Sequence, residues 1–550
     1  MHYSDVVDKE GFSIVMFGNK KLLKMVEKAF GQNPLEGHLY YNAEKRIDRI
    51  GKYHNNLAGL DDSKWVVDDI TWNDLEMDRV FLRINHTNSF IGEQTLYHKL
   101  HVLNGRTAGG LSNDKSDVEK RLEYYEANTK NRADMEVKLQ YIGKMDEGYF
   151  LSDFLMNTNE FKLGNPLIYH FLQLMLVVFM ILSFIFDNMI LLTLGGAVAL
   201  VNLMIYMSVK QEYEIFFTSL IEFKKIFEFT KWMNKYDKSG TIITADAQKA
   251  LKELRKMSWV ISGMNGRRQA SMAGDVLGIL REYLWGMLLI DVSMFNYIMR
   301  IIDGKQKEVL CLLDFVGGVD SDIAVVSYRK SMDAWCKPEY VSHGMTAEKM
   351  AHPLINNPVT NDFNLTDRAV LTGANASGKS TFMKSVAINC ILAQSINTCV
   401  AETFRTQPLI VMTCMALRDD ILTGESYYYR EAKCIKRMLD LIVKEDNVLV
   451  VIDEILKGTN TEERIAASKA IMDYIAETDC LTLLATHDKE LTENGAYKNY
   501  HFRNDIKGGD IVFDYLIHTG RSEQSNAIEL LTHLEYPSEV VKNARKYLHE

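Results

Sequence analysis

Proline is scarce in this chain. Seven prolines occur among 550 residues, and only Pro34 and Pro166 come before Pro338. Proline removes a backbone donor and clashes with the preceding helical turn, so its rarity leaves the first 337 residues free to form long helices. Cysteine is also sparse: seven, an odd number, with no C-x-x-C pair. That excludes a zinc site of paired cysteines and a disulfide frame, and predicts reduced, mostly buried thiols of a cytosolic compartment. An excess of basic residues is missing too. Lys and Arg number 63 against 73 Asp and Glu, a formal net charge of −10, so bulk charge gives no footprint for nucleic acid. Over one stretch charge nearly vanishes: the 47 residues from Leu163 to Val209 contain no Lys, Arg or Glu and a single Asp.

What is present is a chain with ample length for three or four domains at about 150 residues each. Its 47% hydrophobic and 25% charged composition excludes a disordered chain. The first residues, MHYSDVVDKEGF, are too charged for a signal peptide.

The uncharged stretch has room for two membrane spans, each needing about 20 apolar residues. The pattern places them at 167–186 and 189–208, with Asp187 and Asn188 as the turn between. Lys162 and Lys210 flank the hairpin, while the turn carries no positive charge. The positive-inside tendency therefore puts both termini in the cytoplasm. Gly195 and Ala199 have the small-xxx-small spacing that lets two helices approach closely. The competing reading is a helix pair buried in a large soluble core, which rarely runs about 40 residues with one charge. A second apolar segment, Tyr283–Ile302, contains Asp291 and Asn296 and has Arg281 and Arg300 near its ends; it reads as a buried helix of the soluble part.

The remaining organisation is mixed. Residues 1–70 form a segment of unclear role, with a strand or short turn and then an amphipathic helix over 11–30. Helical spacing fills 71–160 and resumes over 211–345, on either side of the hairpin region 161–210. Within it, Glu308–Cys336 reads as a helix interrupted by Gly317 and Gly318. From about 346 to 524 short β-branched runs alternate with helices, the texture of an α/β nucleotide-binding domain, and 525–550 closes the chain.

Chemistry concentrates in that α/β part. The run Gly373-Ala374-Asn375-Ala376-Ser377-Gly378-Lys379-Ser380, followed by Thr381, fits G-x-x-x-x-G-K-[ST] between an apolar strand and a predicted helix. Glycines let backbone N–H groups wrap a phosphate, and the helix N-terminus adds positive potential. Lys379 is expected to reach the β- and γ-phosphates of ATP and the Ser380 hydroxyl to ligate Mg²⁺. Downstream, Val448-Leu-Val-Val-Ile-Asp453-Glu454 is an apolar strand ending in two acids. Such a strand delivers Asp453 to the metal shell and Glu454 to the attacking water as general base. A third strand, Leu481–Thr486, ends in His487, positioned to sense the γ-phosphate. An isolated Asp-Glu pair or loop His would more simply be a cap or a solvated residue; the ordered set is far more specific than any member.

These residues resemble the MutS family of DNA mismatch-repair ATPases, within the ABC-type ATPase superfamily. TGANASGKST (372–381) is similar to the family's TGPNMGGKST, VIDEILKGTNTEE (451–463) to its DE-x-x-x-GT block, and LLATHDKEL (483–491) to its ATH-x-x-EL. Ala351–Ile355 resembles the family's RHPLI entry segment, and ESYYYREAKCI (425–435) sits at its G-x-S-x-F-x-x-E segment, matching Gly424 and Ser426. Residues 525–548 resemble its C-terminal helix–turn–helix, and 71–100 and 312–331 its helical lever.

The resemblance implies an ABC-type P-loop α/β domain behind a long-helical lever with an inserted transmembrane hairpin. It implies ATP sandwiched between the subunits of a dimer, with Ser426 completing the partner's site in trans and Gly458, Thr459 and Asn460 forming the loop between sites. Three departures stand out. No Phe-x-Glu mismatch-reading motif occurs in residues 1–70, Val359 stands where many members place an aromatic near the base, and Tyr427, Tyr428 and Tyr429 follow Ser426. The expected function is a membrane-anchored homodimeric MutS-like ATPase whose nucleotide state moves its lever, with DNA left open as a partner. Basic clusters exist at Lys252–Lys256 and Arg267–Arg268, though each reads first as a solvated face. The alternative is an ABC-type membrane ATPase acting on a non-DNA partner. A transporter half, which usually carries about six spans and an LSGGQ-like signature, is disfavoured because this chain offers two spans and Gly424-Glu-Ser426, and a non-hydrolysing scaffold is disfavoured by the intact Lys379, Asp453 and Glu454.

Overall fold

The computed structural model describes residues 13–36, 44–58, 65–103, 114–156, 163–272, 283–374, 377–415, 427–507, 510–521, 528, 531–532 and 536–548. A helical half precedes an α/β half, and the two share one continuous apolar core.

The centre of the helical half is the helix Gln306–Lys330, crossed by the helix Phe90–His101. Contrary to expectation, Gly317 and Gly318 do not interrupt it. The physical reason is the crossing itself. A Cβ on Gly317 would overlap the Thr95 hydroxyl and come within 2.9 Å of the Ile91 carbonyl oxygen, and a Cβ on Gly92 would overlap the Asp320 carboxylate. One glycine on each helix lets the backbones approach, and that packing outweighs glycine's poor helix propensity. Asp320 is fully buried and caps the crossing helix, accepting from the Asn88 N–H (3.0 and 3.1 Å), the Ser89 N–H (2.8 Å) and the Ser89 hydroxyl (2.5 Å).

Residues ahead of position 70 belong to this half. Among the described residues the helix Ser13–Ala29 is continuous, so the strand or short turn expected ahead of it does not extend past residue 12, and it seats Val26 against Ala133 and Val137. The helix Ile47–Leu57 packs on Phe90–His101, and strand β1 (Trp65–Val66) pairs antiparallel with β2 (Val102–Leu103). Arg46 at 3.0 Å and Lys144 at 2.7 Å clamp the fully buried Glu93, which also accepts from Tyr149 Oη and from Asn85 Nδ2 at 3.0 Å. Burial alone would raise the Glu93 carboxyl; the two cations overcome it and hold it at about 2.

The uncharged stretch forms two helices, Pro166–Phe186 and Met189–Tyr236, reversed at Asp187, whose φ is 45°. Asn165 and Asn188 cap them, accepting from the Leu167 and Ile190 N–H groups. The second helix does not stop near Ser208; it runs 48 residues without a break into the helical half. Both segments are long and apolar enough to cross a membrane, with mean hydropathy of 2.2 for Pro166–Phe186 and 2.1 for Met189–Lys210. The segment 283–302 is only in part a buried soluble helix. A left-handed Leu289 (φ 48°) precedes the helix Ile290–Asp303, whose Phe295, Ile298 and Met299 are fully buried.

The α/β half carries two sheets. β3 (Glu339–Tyr340), β4 (Met345–Met350), β5 (Asn361–Leu365) and β7 (Thr403–Thr406) form a mixed sheet in the order β3-β7-β4-β5. The larger sheet contains β6 (Arg368–Thr372), β8 (Ile410–Cys414), β9 (Val448–Asp453), β10 (Leu481–Ala485), β11 (Lys498–Lys507) and β12 (Asp510–Thr519), in the order β12-β11-β6-β10-β9-β8. It is parallel except for β12. Helices Lys379–Ser395, Tyr427–Ile442 and Thr461–Ala476 pack beside it or on its flanking loops. Buried on both faces, β9 and β10 read as continuous apolar runs. All seven cysteines are free, five of them buried.

Candidate nucleotide site

The site lies where the central strands end. β6 is buried through Ala369, Val370 and Leu371 and leads into the glycine loop and the helix Lys379–Ser395. Gly373 (φ 147°) and Gly378 (φ 101°) occupy conformations that side chains resist. A Cβ at Gly373 would also press within 3.1 Å of the Phe502 carbonyl oxygen. The strands β9 and β10 are in register, Asp453 beside Ala485, so Asp453, Glu454 and His487 converge on the loop.

Their geometry is compact. Ser380 Oγ donates to Asp453 Oδ2 at 2.6 Å. Lys379 Nζ donates to the Gly373 and Ala374 carbonyl oxygens at 2.8 and 3.0 Å and lies 3.4 Å from His487 Nε2. The same His487 nitrogen is 3.1 Å from Glu454 Oε1, and Lys457 Nζ is 3.3 Å from Glu454 Oε2. Burial lowers the Lys379 ammonium below the usual lysine range, with Asp453 and Glu454 opposing it. Burial works against ionisation of Glu454, yet His487 and Lys457 bring its carboxyl below the ordinary value. Glu454 also holds a left-handed backbone, φ 67°, with its N–H bonded to the Ala485 carbonyl oxygen at 3.0 Å. Backbone strain of this kind at a non-glycine residue is concentrated at functional sites.

A cavity of about 490 Å³ opens beside these groups, lined by Lys379, Asp453 and Glu454 together with His352, Val359 and Tyr515. Ala374, Ser377 and Thr381 also line it. The residues fit a magnesium nucleotide. Among the described residues, Ser377 Oγ is buried in the loop without a hydrogen-bond partner, which suits a phosphate-facing donor. Ser380 and Asp453 supply two hard oxygens, the sparse donor set that Mg²⁺ takes alongside phosphate and water. Among the described residues no cluster of three His, Cys, Asp or Glu offers a different metal site. Asn375, Ala376, Gly424 and Ser426 lie outside the described residues.

Two site residues escaped sequence reasoning. Glu431 is buried on the helix Tyr427–Ile442 and accepts from the Lys457 N–H (3.0 Å) and the Gly458 N–H (3.4 Å), holding the loop after Glu454. It occupies the closing Glu of the G-x-S-x-F-x-x-E pattern, which could have revealed it. Tyr515 was missed as well. The β11–β12 register slips between Phe502 and Asn504, so Tyr515 (φ 55°) sits in a bulge, with its ring against Gly378. It places an aromatic in the cavity that Val359 does not.

Comparison with known proteins decides the kind of domain. Residues 369–550 match the family model of MutS domain V. That domain is an ATPase domain, which agrees with a nucleotide cavity built on β6, β9 and β10. The chain is 33% identical to the DNA mismatch repair protein MutS of Aquifex pyrophilus over 266 residues, 44% of this chain and 31% of that one. It is 28% identical to the MutS of an Exiguobacterium species over 332 residues, 58% and 36% of the two chains. It is 27% identical to the DNA mismatch repair protein MutS 2 of Haloarcula marismortui over 292 residues, 47% and 30%. The alignments thus span about a third of these relatives' length, and the MutS-type domain holds every described residue of the cluster around Ser380 and Glu454.

Proposed function

We propose that this chain is a membrane-anchored MutS-like ATPase that binds and hydrolyses ATP at a homodimer interface. In this reading ATP turnover moves a helical lever, 71–160 with 211–345, joined to a transmembrane hairpin over 161–210. The ATPase domain spans 346–524, 525–550 serves dimerisation, and both termini face the cytoplasm. The observation that carries the proposal is the Ser380–Asp453 contact of 2.6 Å beside Glu454, His487 and Lys379 in one cavity.

The roles follow from the chemistry. Residues 373–381 wrap the phosphates with backbone N–H groups, and Lys379 adds charge at the β- and γ-positions. Ser380 and Asp453 hold Mg²⁺, which when bound neutralises charge on the phosphate oxygens. Glu454, ionised and oriented by His487 and Lys457, positions the attacking water and accepts its proton. His487, between Glu454 and Lys379, reports the γ-phosphate position to both. Tyr515 offers the base a stacking face, and Ser426 reaches the partner subunit's site.

The test is ATP turnover by detergent-purified protein. Wild type hydrolyses ATP with Mg²⁺; Glu454→Gln binds ATP but turns over about 10²- to 10⁴-fold more slowly. Equal rates would remove Glu454 from the role of base. DNA enters as a proposed partner only through the relatives' names, against a net charge of −10. Anisotropy with matched and mismatched duplexes across salt concentrations addresses it, because phosphate contacts weaken steeply with salt. Absence of binding at low salt favours the second reading, a membrane ATPase acting on a non-DNA partner, which the uncharged hairpin supports.

A further inference from the structure

The hairpin is not alone. Gln173, on its first helix, donates from Nε2 to the Leu288 and Leu289 carbonyl oxygens at 2.8 and 3.1 Å, with the Ser293 hydroxyl 2.8 Å away. Asn202, on its second helix, donates to the Met287 carbonyl oxygen at 2.7 Å. Gly286 faces Tyr206 so closely that a Cβ there would come within 2.6 Å of the ring. Two polar side chains of the hairpin thus satisfy the carbonyl groups of one short segment, 287–289, where the helix breaks at left-handed Leu289.

Depth follows from helix geometry. Pro166–Phe186 has 21 residues, about 31 Å at 1.5 Å per residue, which matches the roughly 30 Å of a hydrocarbon core with nothing to spare. Gln173 lies about 10 Å along it from Pro166, and Asn202 about 12 Å from Lys210. If the bilayer began beyond Gln173, only about 20 Å of the first helix would remain to cross it. The segment bonded to Gln173 and Asn202 must therefore sit inside the apolar layer wherever the hairpin spans. Its composition agrees: Tyr-Leu-Trp-Gly-Met-Leu-Leu-Ile, 283–290, has no charge. Its outer side chains are bare, Leu284 being 55% and Tyr283 42% exposed. Backbone that breaks helical bonding at membrane depth is tolerated where protein groups satisfy it, as Gln173 and Asn202 do here. The helix that follows leads back to the helical half, where Asn296 donates to the Leu163 carbonyl oxygen at 3.1 Å, level with the hairpin base; among the described residues on the other side, the helix Arg255–Met272 packs on Met189–Tyr236 and on Ala245–Glu253.

We propose that 283–289 is a third membrane element, a re-entrant turn that enters the cytoplasmic leaflet against the hairpin and exposes Tyr283 and Leu284 to lipid acyl chains. This rests on the two-span reading above. The test uses nitroxide labels at single introduced cysteines, Leu174→Cys, Leu284→Cys and Tyr428→Cys, in full-length protein with Cys311 and Cys336 changed to Ser. The protein is placed in phosphatidylcholine–phosphatidylglycerol liposomes, and collisions with oxygen are compared with those of a water-soluble nickel chelate. The label at 284 is expected to favour oxygen as the label at 174 does, while that at 428 favours nickel. Adding Gln173→Leu should shift the 284 label toward nickel at least several-fold without moving the 174 label. Nickel-accessible 284 with lipid-buried 174 overturns the re-entrant turn and leaves the hairpin standing. Nickel access at both overturns the two-span reading, and the turn with it.

Discussion

Thr413 Oγ1, at the end of an ATPase strand, donates to Asp74 Oδ2 across 2.8 Å, and the Met415 N–H reaches the same oxygen at 2.9 Å. Beside it Thr71 Oγ1 accepts from the Thr413 N–H at 3.1 Å, and Arg437 bonds both Asp68 and the Thr413 carbonyl oxygen. The segment 68–74 of the helical half is thereby tied to the edge strand of the nucleotide-binding sheet.

Removing that tie should destabilise the protein. Asp74→Ala strands the buried Thr413 hydroxyl and the Met415 N–H, at a cost of about 1–3 kcal/mol. Thermal unfolding in detergent should show a lower Tm, while Asp74→Asn, which keeps an acceptor oxygen, should lose less. An unchanged Tm for the alanine variant would mean that the contact carries no stability.

Glu431 should matter to turnover without touching nucleotide. It anchors the N–H groups of Lys457 and Gly458, and Lys457 in turn faces Glu454. Glu431→Ala should lower kcat about 10- to 100-fold by misplacing the base, with a smaller change in ATP affinity. Steady-state kinetics beside equilibrium nucleotide binding separates the two; a pure affinity loss would contradict a positioning role.

The glycine crossing in the helical half gives a steric prediction. Gly317→Ala should cost at least about 1–3 kcal/mol, the usual range for forced overpacking, because its Cβ meets the Ile91 backbone as well as Thr95. Gly318→Ala, whose Cβ meets nothing within 4 Å, should be neutral or slightly stabilising in a helix. Chemical denaturation of the pair decides it, and equal stabilities would contradict the packing argument.

Two buried carboxylates should give opposite pH signatures. Glu93 is held at about 2 against an ordinary value of 4.5, so its ionised form contributes stability above pH 4.5 that is lost as pH falls toward 2. Glu136 is pushed up to about 7, by burial first, with Asp320 adding repulsion against Arg132's attraction. Its ionisation costs stability that mounts between pH 4.5 and 7. Glu93→Gln should therefore lower Tm at pH 7, with the deficit shrinking in acid. Glu136→Gln should raise Tm at pH 8, with the gain vanishing below pH 4.5. Melting curves across pH that show the same trend for both variants would refute this assignment.

The features legible in sequence are those whose cause is local. A glycine loop between a strand and a helix, β-branched runs ending in acids, and 47 residues with one charge each carry their own explanation. What stayed hidden depends on distant partners. Gly317 reads as a helix breaker until Thr95, more than 200 positions earlier, is seen to occupy the space of its missing side chain. Tyr515 reads as an ordinary strand residue until the slipped register aims it at Gly378. The break at Leu289 in the segment 283–302 is not legible, because nothing nearby shows that the carbonyl groups of Met287, Leu288 and Leu289 bond Asn202 and Gln173. The segment before residue 70 had no clear place until Arg46 was found on Glu93.

The unbroken helix Met189–Tyr236 has a mechanical meaning. Its 48 residues measure about 72 Å; it carries no proline and no left-handed residue, and its Gly195–Gly196 pair, a place where helices can kink, leaves it unbroken. In the proposed two-span arrangement it is one continuous rod, with Met189–Lys210 in the membrane and the residues after it anchored in the helical half. A stiff rod does not absorb rotation. In that arrangement a tilt imposed on the anchored arm would reappear at the other end as a change in span angle, which a bilayer accommodates by thinning, thickening or local bending. Work done at the nucleotide would then register as membrane shape, and bilayer thickness would push back on the nucleotide.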